Sequence, residues 1–234
     1  MQFHDRTVLI TGAAGNLGRA VADAFYAQGA NLVLLGQHAE HLTEAFGAED
    51  ARRQFAAVDL LDADAVARAA DAARARFGRV DVLCNLAGGF RMGTPVHATA
   101  DADLDFLFDI NVRTMMHAVR AVAPGMVAAG GGKIVNVGAN AAGKGVAQMG
   151  AYCAAKSALI RLTEAMAAEL REAGVNVNCV LPTIIDTPEN RAAMPGADPA
   201  RWVAPAALAD VIAFLASDAA RAIHGAAVPV TGLS

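Results

Sequence analysis

Short apolar runs alternate with longer amphipathic stretches from one end of the chain to the other. The runs fall at Thr7–Thr11, Ala30–Leu35, Gln54–Val58, Val80–Asn85, Lys133–Val137, Asn176–Leu181 and Ala227–Val230. Several are continuously apolar rather than alternating, the pattern of a strand covered on both faces. Between them, segments such as Arg19–Gln28, Ala63–Phe77 and Asp101–Ala129 have helical length and periodicity. This order predicts βαβ units and an α/β fold: a doubly wound parallel sheet of about seven strands with helices on both faces. No linker, repeat or low-complexity tract beyond alanine enrichment breaks the pattern. Residues 1–234 are expected to form one domain.

Composition narrows the functional classes. At 234 residues and 55% hydrophobic content, one large core can be filled. A formal charge of -4 leaves no basic footprint for nucleic acid. Asp5 and Arg6 precede the first apolar run, so no signal peptide is expected, and no apolar span is long enough for a bilayer. The expectation is a cytoplasmic protein acting on a small molecule. Cys84, Cys153 and Cys179 are scattered without CxxC spacing, which reads as core thiols and no metal site.

The first strand runs into Thr11-Gly12-Ala13-Ala14-Gly15-Asn16-Leu17-Gly18 and then a helix. Glycines there let the backbone approach a pyrophosphate whose charge is stabilised by the helix N-terminus. Gly12, Gly15, Asn16 and Leu17 are the candidate contacts. After strand two, an Asp or Glu would bind the adenosine ribose and repel a 2′-phosphate. Gly36 and Gln37 stand there instead, so NADP(H) is weakly favoured over NAD(H), with Gln37 as a candidate contact. Asp59-Leu60, after strand three, is placed to meet the adenine edge or, equally, to cap the following helix.

Tyr152 and Lys156 lie four residues apart in a helical segment and so share a face. A neighbouring ammonium is expected to pull the phenol pKa down from about 10 towards neutrality, suiting it to act as a general acid. Together with the glycine segment, Asp59, Asn85-Leu86-Ala87-Gly88, Asn111 and Pro182…Thr187, this pair resembles the short-chain dehydrogenase/reductase family over essentially the whole chain. The resemblance implies a Rossmann-like domain and an NAD(P)(H)-dependent oxidoreductase. Catalysis would rest on Tyr152, Lys156 and Asn111, with Asn111 holding a proton-relay water. Ala87 and Gly88 would line the cofactor, Lys156 would bond the nicotinamide ribose and Thr187 its carboxamide. The final segment is similar to the family's last strand, which implies a homodimer or homotetramer.

The departures are informative. The family serine, thirteen residues before the tyrosine, is Ala139 here, and no hydroxyl-bearing residue lies between Gly138 and Tyr152. Locally, Gly138–Ala142 and the segment after Pro182 are similar to the dihydropteridine reductase branch. Without the serine, an oxyanion on an ordinary ketone loses a donor worth roughly 3–4 kcal/mol. That favours an electron-poor carbonyl, quinonoid or imine acceptor, or a substitute donor from Asn140 or Gln148. The alternatives are a 3-oxoacyl-thioester reductase-like enzyme and a catalytically weak NAD(P)-binding regulatory protein.

Overall fold

Successive side chains of the strand Thr7–Thr11 (β1) point to opposite sides: Val8 and Ile10 enter one apolar layer, Leu9 the other. The computed structural model describes residues 2–234. Six further strands complete one sheet: β2 Asn31–Gly36, β3 Arg53–Ala57, β4 Val82–Asn85, β5 Gly132–Val137, β6 Val175–Pro182 and β7 Ala227–Val230. All pairs are parallel, in the order β3-β2-β1-β4-β5-β6-β7.

The helices among the described residues are α1 Asn16–Ala27, α2 Ala39–Phe46, α3 Ala63–Phe77, α4 Asp101–Phe108, α5 Thr114–Ala128, α6 Gly150–Leu170, α7 Pro188–Ala193 and α8 Pro205–Leu215. Helices α3, α5 and α6 bury Val66, Val122 and Leu159 against one face of the sheet. Helices α1, α2 and α8 bury Phe25, Leu42 and Ile212 against the other. This is the Rossmann-like doubly wound architecture expected from the strand–helix alternation.

Two boundaries matter for the site. Helix α1 begins at Asn16, three residues earlier than its periodicity suggested, so its N-terminus abuts the glycine segment. The stretch expected as one helix over Asp101–Ala129 is two helices joined by a wide π-turn at Asp109–Arg113, with Asn111 at its centre. Strand order reverses at β1, which lies between β2 and β4. In open α/β sheets the crevice beyond the carboxyl ends of such strands is where ligands bind.

Candidate active site

At the carboxyl end of β1, the Thr11 hydroxyl accepts from the backbone N–H groups of Leu86 (3.1 Å) and Ala87 (3.2 Å), joining the two sides of the crevice. Gly12 has φ +66°, and a β-carbon on it would lie 3.0 Å from the Ala87 backbone, so only glycine fits. A β-carbon at Gly18 would come within 2.3 Å of the Gly12 carbonyl oxygen, so helix and loop pack backbone to backbone. Gly15, at the head of α1, brings no side-chain cap to the helix. Free N–H donors and an open backbone at one helix N-terminus fit a pyrophosphate. Asn16 donates to Glu189 Oε2 at 2.9 Å, tying this loop to α7, while Leu17 packs on the α1–α8 core.

The adenosine side is more open. Gln37 is exposed beyond β2. Asp59 accepts the Leu61 N–H at 2.9 Å, and the Leu60 carbonyl lies 2.9 Å from His117 Nδ1. One Asp59 oxygen is therefore engaged in shaping its own turn. Thr187 caps α7, its hydroxyl accepting from the Asn190 N–H at 3.2 Å.

Helix α6 carries Tyr152 and Lys156 into the crevice. Lys156 is buried and donates to the Val137 carbonyl at 2.8 Å. Beside it, Gly88 follows Ala87 past the end of β4. A β-carbon on Gly88 would meet Asn111 Oδ1 at 3.0 Å and Lys156 Nζ at 3.2 Å, so Asn111 and Lys156 converge on one point of the loop. Asn111 is fully buried. Its amide accepts from the Gly89 N–H at 3.2 Å and donates to the carbonyls of Gly89 (2.9 Å) and Leu107 (3.0 Å). The π-turn presents this side chain to the loop, as such widened turns often do at functional sites.

The expected effect of Lys156 on Tyr152 is not what the structure shows. Burial, with a smaller contribution from Cys153, pushes the phenol up to about 12. The Phe90 ring sits edge-on to it, centroids 4.8 Å apart, and the ammonium is directed at Val137. Tyr152 is thus a neutral phenol at ordinary pH rather than a near-neutral titrating group. Burial also brings Lys156 down to about 8.

This has a consequence for stability. An unfolded lysine keeps its proton up to the ordinary value of 10.5, so between about 8 and 10.5 the unfolded chain binds more protons and stability rises with pH. Below that window the buried charge costs on the order of 3 kcal/mol, partly offset by its bond to Val137. Lys156→Met is expected to be more stable than the parent by ~1–3 kcal/mol at neutral pH. The advantage should vanish as pH rises through the window. Urea unfolding of both proteins across that range checks it, and a Lys156→Met protein less stable at neutral pH would refute it.

Ala139 is buried, and Asn140 beside it is exposed. Gln148 adopts φ +60°, unusual for a residue with a side chain, and its carbonyl accepts from the Gly93 N–H at 2.9 Å. It lines, with Tyr152, a cavity of about 200 Å³. Of the two amides considered as substitute donors, Gln148 therefore shares Tyr152's cavity. Sequence reasoning missed Phe90, Arg91, Asp103 and Glu189. An aromatic and a cation between glycines, in Gly89-Phe90-Arg91-Met92-Gly93 in the loop after β4, were a legible signal for the first two.

Fold, glycine turn and paired tyrosine and lysine define a dinucleotide-binding oxidoreductase. Residues 6–197 match the family model described as short chain dehydrogenase. D-threitol dehydrogenase of Mycolicibacterium smegmatis is 35% identical over 97% of this chain and 92% of its own length. Among solved structures, an NAD+-bound xylitol dehydrogenase superposes with TM-score 0.90 at 28% identity, covering 99% of this chain and 100% of the other. A carveol dehydrogenase from Mycobacterium avium in complex with NAD gives TM-score 0.89 at 26% identity, covering 99% and 98%. The chain belongs to the short-chain dehydrogenase/reductase family and is an NAD(P)-dependent oxidoreductase of that type. Among the described residues no helix is long and apolar enough to cross a membrane.

Proposed function

We propose that the protein reduces a carbonyl carbon, or a quinonoid or imine equivalent, on a small molecule, with Tyr152 as general acid. The observation that carries this reading is the convergence of Lys156, Asn111 and Gly88 beside a cavity lined by Tyr152. A bound nicotinamide supplies the hydride. The neutral phenol then gives its proton to the oxygen on which charge develops, a contribution of about 10²–10⁴-fold. Lys156 holds the ribose and sustains the local positive potential, and Asn111 positions the Gly88–Gly89 backbone and the proton path. Gly12, Gly15, Asn16 and Leu17 hold the pyrophosphate, Asp59 and Leu60 the adenine side, Ala87 and Thr187 the nicotinamide side. The relatives' names (threitol, xylitol, carveol) favour an alcohol–ketone pair over a quinonoid acceptor. The same reading expects a homodimer or homotetramer in the cytoplasm.

The deciding experiment is a panel of simple ketones, hydroxyketones, quinones, quinonoid dihydropterin and 3-oxoacyl thioesters, followed by NAD(P)H absorbance. Turnover of ketones or hydroxyketones supports the reading. Turnover confined to 3-oxoacyl thioesters replaces it with the thioester reductase, and cofactor binding without any turnover favours a regulatory protein.

For the cofactor, no carboxylate ends β2, so NADPH is expected to serve at least as well as NADH. Installing one at Gly36 is sterically loaded, because a β-carbon there would lie 3.1 Å from the fully buried Leu42. Gln37→Asp, at an exposed position, adds the repulsion without that cost. It should raise the Kd for NADPH about 10–100-fold relative to NADH, the effect of a like charge within ~5–8 Å. Titrating both cofactors checks this. A large NADH advantage in the parent would mean that another acid reaches the ribose, with Glu40 in the first turn of α2 the first suspect.

A further inference from the structure

The cavity at Tyr152 has a polar wall that the reaction chemistry does not use. Arg91, in the loop after β4, lays its guanidinium over the Phe106 ring at 3.7 Å from the centroid and donates through Nη1 to Asp103 Oδ1. Both side chains are about half exposed (48% and 40%), and both line the cavity with Tyr152, Thr94, Thr99 and Gln148. A guanidinium has five N–H donors, and a carboxylate accepts at two oxygens. The Arg91–Asp103 contact engages one donor and one oxygen, leaving further donors and an acceptor side by side. Aromatic stacking and the ion pair hold the planar fork in place.

The pair selects by chemistry. It is neutral overall, so a carboxylate attracted by Arg91 is repelled by Asp103, and an ammonium meets the reverse. A wholly apolar ketone displaces water from both groups and gives nothing back. A hydroxyl accepts from Arg91 and donates to Asp103 at once. The cavity, about 200 Å³, is below the ~300–1,000 Å³ of drug-sized pockets, which limits the ligand to a small molecule. A carbonyl flanked by a hydroxyl-bearing carbon is also more electron-poor than a simple ketone, which suits a site with Ala139 where a hydroxyl donor would stand.

Resting on the carbonyl-reductase reading above, we propose that Arg91 and Asp103 are a specificity-determining pair that binds a hydroxyl near the reacting carbonyl. The substrate class is then a small, neutral polyhydroxy ketone. In its reduction the carbonyl carbon gains the hydride, the former C=O electron pair moves to oxygen, and that oxygen takes the Tyr152 proton. The products are a vicinal diol and oxidised NAD(P)+, and the phenolate regains a proton from solvent.

The test compares 1,3,4-trihydroxybutan-2-one, butan-2-one and 3-oxobutanoate as substrates of the parent, Arg91→Met, Arg91→Lys and Asp103→Asn. The parent should prefer the trihydroxyketone. Arg91→Met and Asp103→Asn should lower its kcat/KM about tenfold or more, chiefly through KM, with butan-2-one turnover retained or modestly improved as its desolvation cost is relieved, and Arg91→Lys intermediate. Retained butan-2-one turnover also certifies that the variants are folded. A preference for 3-oxobutanoate that disappears in Arg91→Met would overturn the neutral class in favour of an anion. Equal losses on all three ketones would overturn the specificity role. Should no ketone turn over, the reductase reading fails by itself. Calorimetric binding of butane-1,2,3,4-tetrol against butan-2-ol, with NADP+ present, then decides the pair. Tetrol binding lost in Arg91→Met supports it, and tetrol binding absent in the parent or unchanged in Arg91→Met rejects it.

Discussion

Tyr152→Phe is expected to lower kcat by about 10²–10⁴-fold while the Kd for NAD(P)H stays close to the parent's. The substitution removes one proton donor and almost no surface, and the Phe90 edge contact survives because a phenyl ring remains. On the proposed roles, Lys156→Ala should damage both quantities, since it removes the ammonium assigned to the ribose and the positive potential at the reacting oxygen. The pH profile separates the roles. Burial holds the phenol up at about 12, so its ionisation leaves the neutral range untouched. Lys156 sits near 8, so cofactor affinity should weaken as pH rises through that value and the ammonium is lost. Near-parent rates in Tyr152→Phe would mean that the substrate or solvent supplies the proton.

Ala139→Ser should raise kcat/KM on simple ketones by about 10²–10³-fold, the size of one oxyanion donor. The gain on a hydroxyketone should be much smaller, because the neighbouring oxygen already makes that carbonyl electron-poor. Ala139 is buried with an extended backbone at the end of β5, so an added hydroxyl stays within the site wall. Equal or smaller gains on simple ketones would show that another group already serves the oxygen. Gln148, whose left-handed backbone sets it in the Tyr152 cavity, is the first to replace by alanine in that case.

What could be read from the sequence follows from how local each feature is. The ends of β1, α3 and β7 coincide with the apolar runs and periodicity that mark them, but the cap at the head of α3 is Asp62, which accepts the Ala65 N–H, and not Asp59. The glycine turn was legible because its backbone needs are written in residue type. The break between α4 and α5 was not, because it is coupled to the hold of Asn111 on Gly89, twenty-two positions away in the chain. Periodicity carries no record of such a contact. The Tyr152 pKa failed for a related reason: helical spacing brings Lys156 close, but Phe90 and the fold decide how much water reaches the phenol. The Arg91–Asp103 pair joins a loop to a helix, so charge alone marked neither residue as part of a cavity wall.

The central claim is that hydride passes to a substrate carbonyl while Tyr152 supplies the proton. It is tested most directly by incubating the enzyme with NADPH carrying deuterium at both C4 positions and a hydroxyketone and locating the label by mass spectrometry. The expected result is one deuterium on the new carbinol carbon with the parent enzyme, and a loss of labelled product of at least about a hundredfold with Tyr152→Phe. Unlabelled alcohol, or labelled alcohol formed equally fast by Tyr152→Phe, would contradict it.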